Sequence, residues 1–149
     1  MAVNEAIVGK TYPPLGPYLV GREKVREFAR AVQSSSVTSR DPDAAQASGF
    51  SDVVAPPTFT VILQERALRL LLDDPEAGID YSRIVHGDQR FNYSRPIVAG
   101  DELHASVTIT KVQSLGGHSM VTSETVVNDV NGQHLATATS TLVVRGNAS

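Results

Sequence analysis

No cysteine occurs in the 149 residues. Disulfides, thiolate nucleophiles, Cys-ligated zinc and iron–sulfur clusters are therefore excluded within the chain. An excess of positive charge is also missing: 13 Lys and Arg stand against 16 Asp and Glu, a net charge of −3. Dedicated binding to nucleic acid or an anionic membrane needs clustered positive charge, so neither partner is expected. No apolar run approaches the ~18 residues of a membrane-spanning helix. The opening residues Met1 to Glu5 lack a basic segment followed by an apolar core, so no secretory signal is expected and a cytoplasmic location is. There is no Gly-rich phosphate loop with Lys, no dinucleotide fingerprint and no Gly-x-Ser-x-Gly around any serine. The four histidines, His86, His104, His118 and His134, form no His-x-x-x-His pair, so no metal site is expected.

What is present is one domain's worth of globular sequence, spanning 1–149. Apolar residues make up 41% and charged residues 19%, and a chain of this length buries roughly 68–70% of its unfolded surface. Val25, Phe28, Ala29 and Val32 fall at i, i+3, i+4 and i+7 against a charged face, the mark of an amphipathic helix over Arg22–Gln33. Ser34 to Arg40 reads as a hydroxyl-rich loop, because serines compete for backbone groups. Asp41-Pro42 predicts a capped short helix closed by Gly49. Phe59 to Leu72 is the most apolar stretch and predicts a long buried helix, with Thr58 as its cap and Asp73-Asp74-Pro75 as its end.

From about Arg83 the period changes to two. Leu103, Ala105, Val107 and Ile109 alternate with polar residues, as do Ala136, Ala138, Leu142 and Val144. Between them Met120 to Val127 alternate with the phase open. Gly116-Gly117 and Asn131-Gly132 supply tight turns, and Ile84 to Tyr93 predicts a fourth strand. An early strand near Gly9–Tyr12 or Pro17–Val20 is weakly signalled. The expected class is α+β, an antiparallel sheet with one apolar face covered by the long helix.

Candidate chemistry is sparse. His86 and Asp88 sit two apart in a predicted strand and would share one face. Asp73-Asp74 reads as a solvated pair, and Asp101 as a turn residue. Arg22, Lys24, Arg26 and Arg30 read as a solvated helix face, with Arg90 and Arg95 as further candidates to meet a nucleotide phosphate or an acidic carrier protein.

Several words of the sequence carry a resemblance. They are Val20 to Ala29, Val54-Ala55-Pro56-Pro57-Thr58-Phe59, His86 to Phe91, Arg95-Pro96-Ile97 and Ala99 to Leu103. Together the chain resembles the MaoC-like dehydratases and hydratases, most closely the actinobacterial HadA-type subunits of (3R)-hydroxyacyl-carrier-protein dehydratase. The resemblance implies a hot-dog fold, a long central helix wrapped by a curled antiparallel sheet. It implies pairing with a second MaoC-like subunit, or with a second copy, and acyl thioesters of acyl carrier protein or coenzyme A as substrates, with no cofactor. Catalytic members carry an Asp, and a His five positions later, in the loop after the first helix. With the family's later Asp-Pro placed on Asp41-Pro42, those positions fall on Ser34 and Ser39, and an intervening Asn position on Ser36. Serine without an activating partner replaces neither acid nor base near neutral pH.

The expectation is thus a fatty-acid-biosynthesis dehydratase (lyase) subunit without catalytic residues of its own. Val54 to Phe59 and Ile62 would line the acyl channel, or serve as plain core. Alternatives are a self-sufficient hydratase or thioesterase using His86 and Asp88, and a non-enzymatic hot-dog binding dimer.

Overall fold

The structure is a computed structural model that describes residues 2–147. A 3-10 turn at Glu5–Ile7 precedes β1 (Leu15–Leu19), α1 (Arg22–Ala31), α2 (Pro42–Ala47) and α3 (Val61–Leu72). Four long strands follow: β2 (Ile84–Tyr93), β3 (Glu102–Leu115), β4 (His118–Asp129) and β5 (His134–Val144). All pair antiparallel in one sheet of order β1-β3-β4-β5-β2. The β3–β4–β5 meander follows from the alternation and the two glycine turns. β2 precedes the meander in sequence but pairs with β5, which leaves it at the edge opposite β1.

The ladder settles the phase of β4. Ala105, Val107 and Ile109 stand opposite Val127, Thr125 and Ser123, which stand opposite Ala136, Ala138 and Ser140. Directly opposed residues share a face, so the Ser119–Val127 set turns inward with the alternating apolar residues of β3 and β5. Sequence alternation alone could not choose, since both phases of β4 mix Val with hydroxyl residues.

α3 packs on this face through Leu63, Gln64, Ala67, Leu68 and Leu71, while Glu65, Arg66 and Arg69 stay exposed. It begins at Val61, later than the sequence suggests. Thr58 does not cap it; Thr60 takes the cap position without a side-chain bond. The prolines force a tight turn first, with Phe59 N–H donating to Pro56 O at 2.9 Å. Likewise α1 ends at Ala31, so Val32 leaves the apolar stripe and is 45% exposed. Asp41 does cap α2, accepting from Asp43 N–H at 2.9 Å.

The two weak N-terminal signals both lie along β3. Tyr12 N–H donates to Val107 O at 2.9 Å, and β1 pairs further on. Three prolines, Pro13, Pro14 and Pro17, and a glycine at 16 hide the strand period there. Gly16 has φ +129°, and a Cβ would stand 2.6 Å from Leu103 O, so only glycine fits. Asp74 is not the solvated residue expected. It accepts from Lys10 Nζ and Tyr12 Oη, each at 2.6 Å, and pins the N-terminal segment to the end of α3. The last four residues, Gly146 to Ser149, read in sequence as a frayed end, and of these Ala148 and Ser149 lie outside the described residues.

Candidate functional site: a hydroxyl-lined cleft beside β2

A cleft of about 370 Å³ opens between the α1–α2 loop, the segment before α3 and the end of β2. Ser34, Ser36, Thr38 and Ser39 form one wall. The loop turns there because Gln33 takes φ 56°, and Ser34 N–H reaches back to Ala29 O at 2.8 Å. Ser36 and Thr38 hydroxyls bond each other at 2.9 Å. Ser39 is buried and its hydroxyl donates to Val54 O at 2.6 Å, while Val54 N–H donates to Thr38 O at 2.9 Å. The loop is thereby stitched to the floor of the cleft, and the Ser39 hydroxyl is committed to a backbone carbonyl.

Val54, Ala55, Pro56 and Pro57 make the floor. Proline has no N–H to satisfy, so this run forms an apolar surface without orphaned donors. Of the seven predicted acyl-lining residues, these four face the cleft. Thr58 is exposed beside it. Phe59 is fully buried instead, edge-on to Phe28 with ring centroids 5.3 Å apart. Ile62 packs half-buried against the same core cluster as Phe59.

Tyr93 to Pro96 build the far wall, of which the sequence singled out only Arg95, as a candidate for a phosphate or a carrier protein. The Tyr93 hydroxyl donates to Pro57 O and takes the Thr60 hydroxyl at 2.7 Å. Burial pushes the Tyr93 phenol above its ordinary range. Arg95 forks onto Asp101 at 2.9 and 3.0 Å, and the same carboxylate accepts Val98 N–H at 2.9 Å. That pairing holds the Arg95 guanidinium charged. Asp101 is therefore more than a turn residue: it clamps the segment that carries the wall. Arg22 is similarly forked onto Asp52 at 3.0 and 2.9 Å, which pulls the Asp52 carboxyl below its usual range.

An imidazole also reaches this wall. Ser94 Oγ lies 2.5 Å from His134 Nδ1, and His134 Nε2 lies 2.7 Å from Thr137 Oγ1. Thr137 fixes the ring, and no carboxylate bonds to it among the described residues. His134 looks like a rim histidine in sequence. Only the β2–β5 ladder brings it beside Ser94, whose N–H donates to Leu135 O at 2.7 Å.

His86 and Asp88 do not share a face. Gly87 is a β-bulge, so His86 stands opposite Leu142 and Asp88 opposite Thr141, on successive positions of β5. Two residues of one strand set against neighbouring residues of the next lie on opposite faces. Both are exposed and neither lines the cleft. Among the described residues no three His, Asp or Glu side chains are placed to hold a metal ion, and no helix is long and apolar enough to cross a membrane.

A family model described as "FAS1-like, dehydratase domain region" matches residues 6–138. The chain belongs to this dehydratase family. It is 59% identical to the UPF0336 protein of Leifsonia xyli subsp. xyli over 97% of each chain. It is 48% identical to a UPF0336 protein of Streptomyces avermitilis over 97% of each. Among solved structures it is similar to a MaoC-like dehydratase, with 38% identity, TM-score 0.87 and 95% of this chain covered. The match takes up 43% of that chain, so the protein spans less than half of its length. It is also similar to the C-terminally truncated HadBC complex, a (3R)-hydroxyacyl-ACP dehydratase of Mycobacterium tuberculosis. Identity there is 33% and TM-score 0.81, over 92% of this chain and 96% of that one. The five-stranded antiparallel sheet with its helices is the hot-dog fold of these MaoC-like dehydratases.

Proposed function

We propose that the chain is the acyl-chain-binding half of a (3R)-hydroxyacyl-thioester dehydratase, of the HadA type, whose catalytic Asp and His come from a partner subunit. The observation that carries this reading is the committed hydroxyl of Ser39. At the place where a catalytic His is required stands a buried serine bonded to Val54 O, and at the Asp place the Ser34 hydroxyl accepts Ser36 N–H at 3.4 Å. General acid–base steps each contribute typically ~10²–10⁴-fold, so the isolated loop performs little elimination. What remains is an apolar floor with hydroxyl walls, suited to hold an acyl thioester.

In this reading residues 1–149 act as one hot-dog domain in the cytoplasm, with α3 as the central helix of a curled sheet. The outer edge of β2 offers the docking edge for a second hot-dog subunit. Among the described residues it has no strand partner over Ile84–Tyr93, and Val85 on it is 44% exposed. An unpaired edge of that length is a template for another strand, and its Tyr93 end is the cleft wall. The size of the matched MaoC-like chain, about twice this one, supports a two-subunit unit, and the HadBC match supports a second hot-dog chain as the partner. The partner supplies the proton-transfer pair that removes water from the hydroxyacyl thioester to give a trans-2-enoyl product. Lys24 and Arg30 form no ion pair among the described residues. They suit an acidic carrier protein or a coenzyme A phosphate.

Hydration of a trans-2-enoyl thioester by the purified chain, alone and with a MaoC-like protein that retains the Asp and His, tests the proposal. Negligible turnover alone and activity in a stable complex are expected; robust turnover alone sinks it. One observation, the Ser94–His134 contact, favours a second reading in which this chain turns over thioesters unaided. That reading requires turnover by the chain alone, abolished in His134→Ala.

A further inference from the structure

A polar seam cuts through the core. Gln64 on α3 is fully buried, and its amide exchanges two hydrogen bonds with that of Gln89 on β2, at 2.8 and 2.7 Å. Across the sheet from Gln89, Ser140 and then Ser123 follow in one register row. Both are buried with hydroxyls that find no partner among the described residues, as is Thr125 on the next inward position of β4. Apolar clusters flank the seam, one containing Phe59, Leu63 and Leu103, the other Leu68, Leu71 and Ile109. Buried hydroxyls without partners cost stability, so this row does not serve packing alone.

Bonded and register-paired residues link the seam to the cleft wall. Tyr93, in the cleft wall, is bonded to Thr60, and Gln64 comes one helical turn later, ~6 Å along α3. On β2 the residues opposite inward-facing positions of β5 run Tyr93, Phe91, Gln89. The inward residues of β2 and the first turn of α3 thus lead, bonded at Thr60–Tyr93 and again at Gln64–Gln89, from the cleft wall to the paired amides.

Resting on the acyl-binding reading above, we infer that the Gln64–Gln89 pair closes the inner end of the acyl path and limits the acyl chain length this protein accepts. An alkyl chain neither donates nor accepts a hydrogen bond. Pushing one past the pair separates the two amides, leaving buried Gln64 unpaired and Gln89 with Thr139 O alone, at 3.2 Å, beside hydroxyls that lack partners among the described residues. A methylene added within an apolar channel strengthens binding about fourfold. Stripping a buried polar group of its partner cancels the gain from about two of them.

The test is calorimetric titration of the full chain, in the oligomer it forms, with butanoyl-, octanoyl- and hexadecanoyl-coenzyme A. In the wild type, affinity is expected to stop rising with chain length and to fall for hexadecanoyl. Gln64→Ala is expected to bind hexadecanoyl at least about tenfold tighter than the wild type, with butanoyl affinity unchanged. Gln89→Ala opens the same end from the strand side, and gives the readout should the helix variant fail to fold. A merely structural pair would lower stability without changing the order of affinities. An unchanged length profile in the folded variants, or wild-type hexadecanoyl binding as tight as that of octanoyl, overturns the inference and leaves the acyl-binding reading standing. No binding of any thioester by any form overturns both.

Discussion

Asp101 offers a prediction that separates two energies in one side chain. Its carboxylate holds Arg95 through two hydrogen bonds and Val98 N–H through a third. The ion pair is partly solvated, with Arg95 42% and Asp101 18% exposed, so it contributes about 0.5–1 kcal/mol. Val98 is 9% exposed, and its N–H left without an acceptor costs about 1–2 kcal/mol. Asp101→Ala should therefore destabilise by about 2 kcal/mol, a fall in Tm of about 4–8 °C for a domain of this size. Asp101→Asn keeps an acceptor for Val98 and loses the charge. It should match Arg95→Ala, at about 0.5–1 kcal/mol. Thermal unfolding followed by circular dichroism measures all three, and a double-mutant cycle with Arg95→Ala isolates the ion pair. If Arg95→Ala costs as much as Asp101→Ala, the backbone hydrogen bond is not the larger part and the reasoning fails. The same clamp fixes the segment carrying Ser94 and Pro96. Asp101→Ala should also weaken ligand binding in the cleft beyond its effect on Tm.

Acid should weaken the tie between the N-terminal segment and α3. Lys10, and then Tyr12, hold the Asp74 carboxyl down at about 2 in the folded chain, against ~3.9 when unfolded. The folded value is the lower one, so its stabilisation is complete above about pH 5 and is lost as the pH falls towards 2. The Tm gap between wild type and Asp74→Asn should be constant near neutrality and close below pH 4; a gap that persists at pH 2 contradicts this. Phe59→Ala removes a fully buried ring that meets Phe28 edge-on. It should cost about 3–5 kcal/mol in urea titration, and a loss under 1 kcal/mol would place Phe59 in a collapsible or solvated site. Ser123→Ala removes a buried hydroxyl that has no partner among the described residues. It should be neutral or stabilising by up to about 1 kcal/mol in the same titration, and clear destabilisation would show that the hydroxyl is satisfied.

Much of the architecture is written locally. The i, i+3, i+4 stripe of Val25, Phe28 and Ala29 defines α1, and alternation with Gly116-Gly117 and Asn131-Gly132 defines the meander. The hydroxyl run after α1 already tells that this loop holds no acid–base pair, because that is a matter of residue identity. The edges of elements are less legible. Val32 keeps the helical spacing yet leaves the helix, and Thr58 has a capping side chain but follows prolines that impose a turn first.

The cleft and the seam were decided by tertiary structure. Ser94 with His134, Thr60 with Tyr93, and Gln64 with Gln89 are 40, 33 and 25 residues apart, and no local period marks one member as the partner of the other. The inward phase of β4 likewise came from its neighbours, since Val alternates with hydroxyls on both of its faces and only the register against Ile109 and Ser140 selects one. The bulge at Gly87 moved Asp88 away from His86 by a single inserted position, which strand periodicity cannot register in advance. Composition and spacing fix what each segment prefers to become. Pairing across the sheet fixes which side chains meet, and in this chain the cleft is made of such meetings.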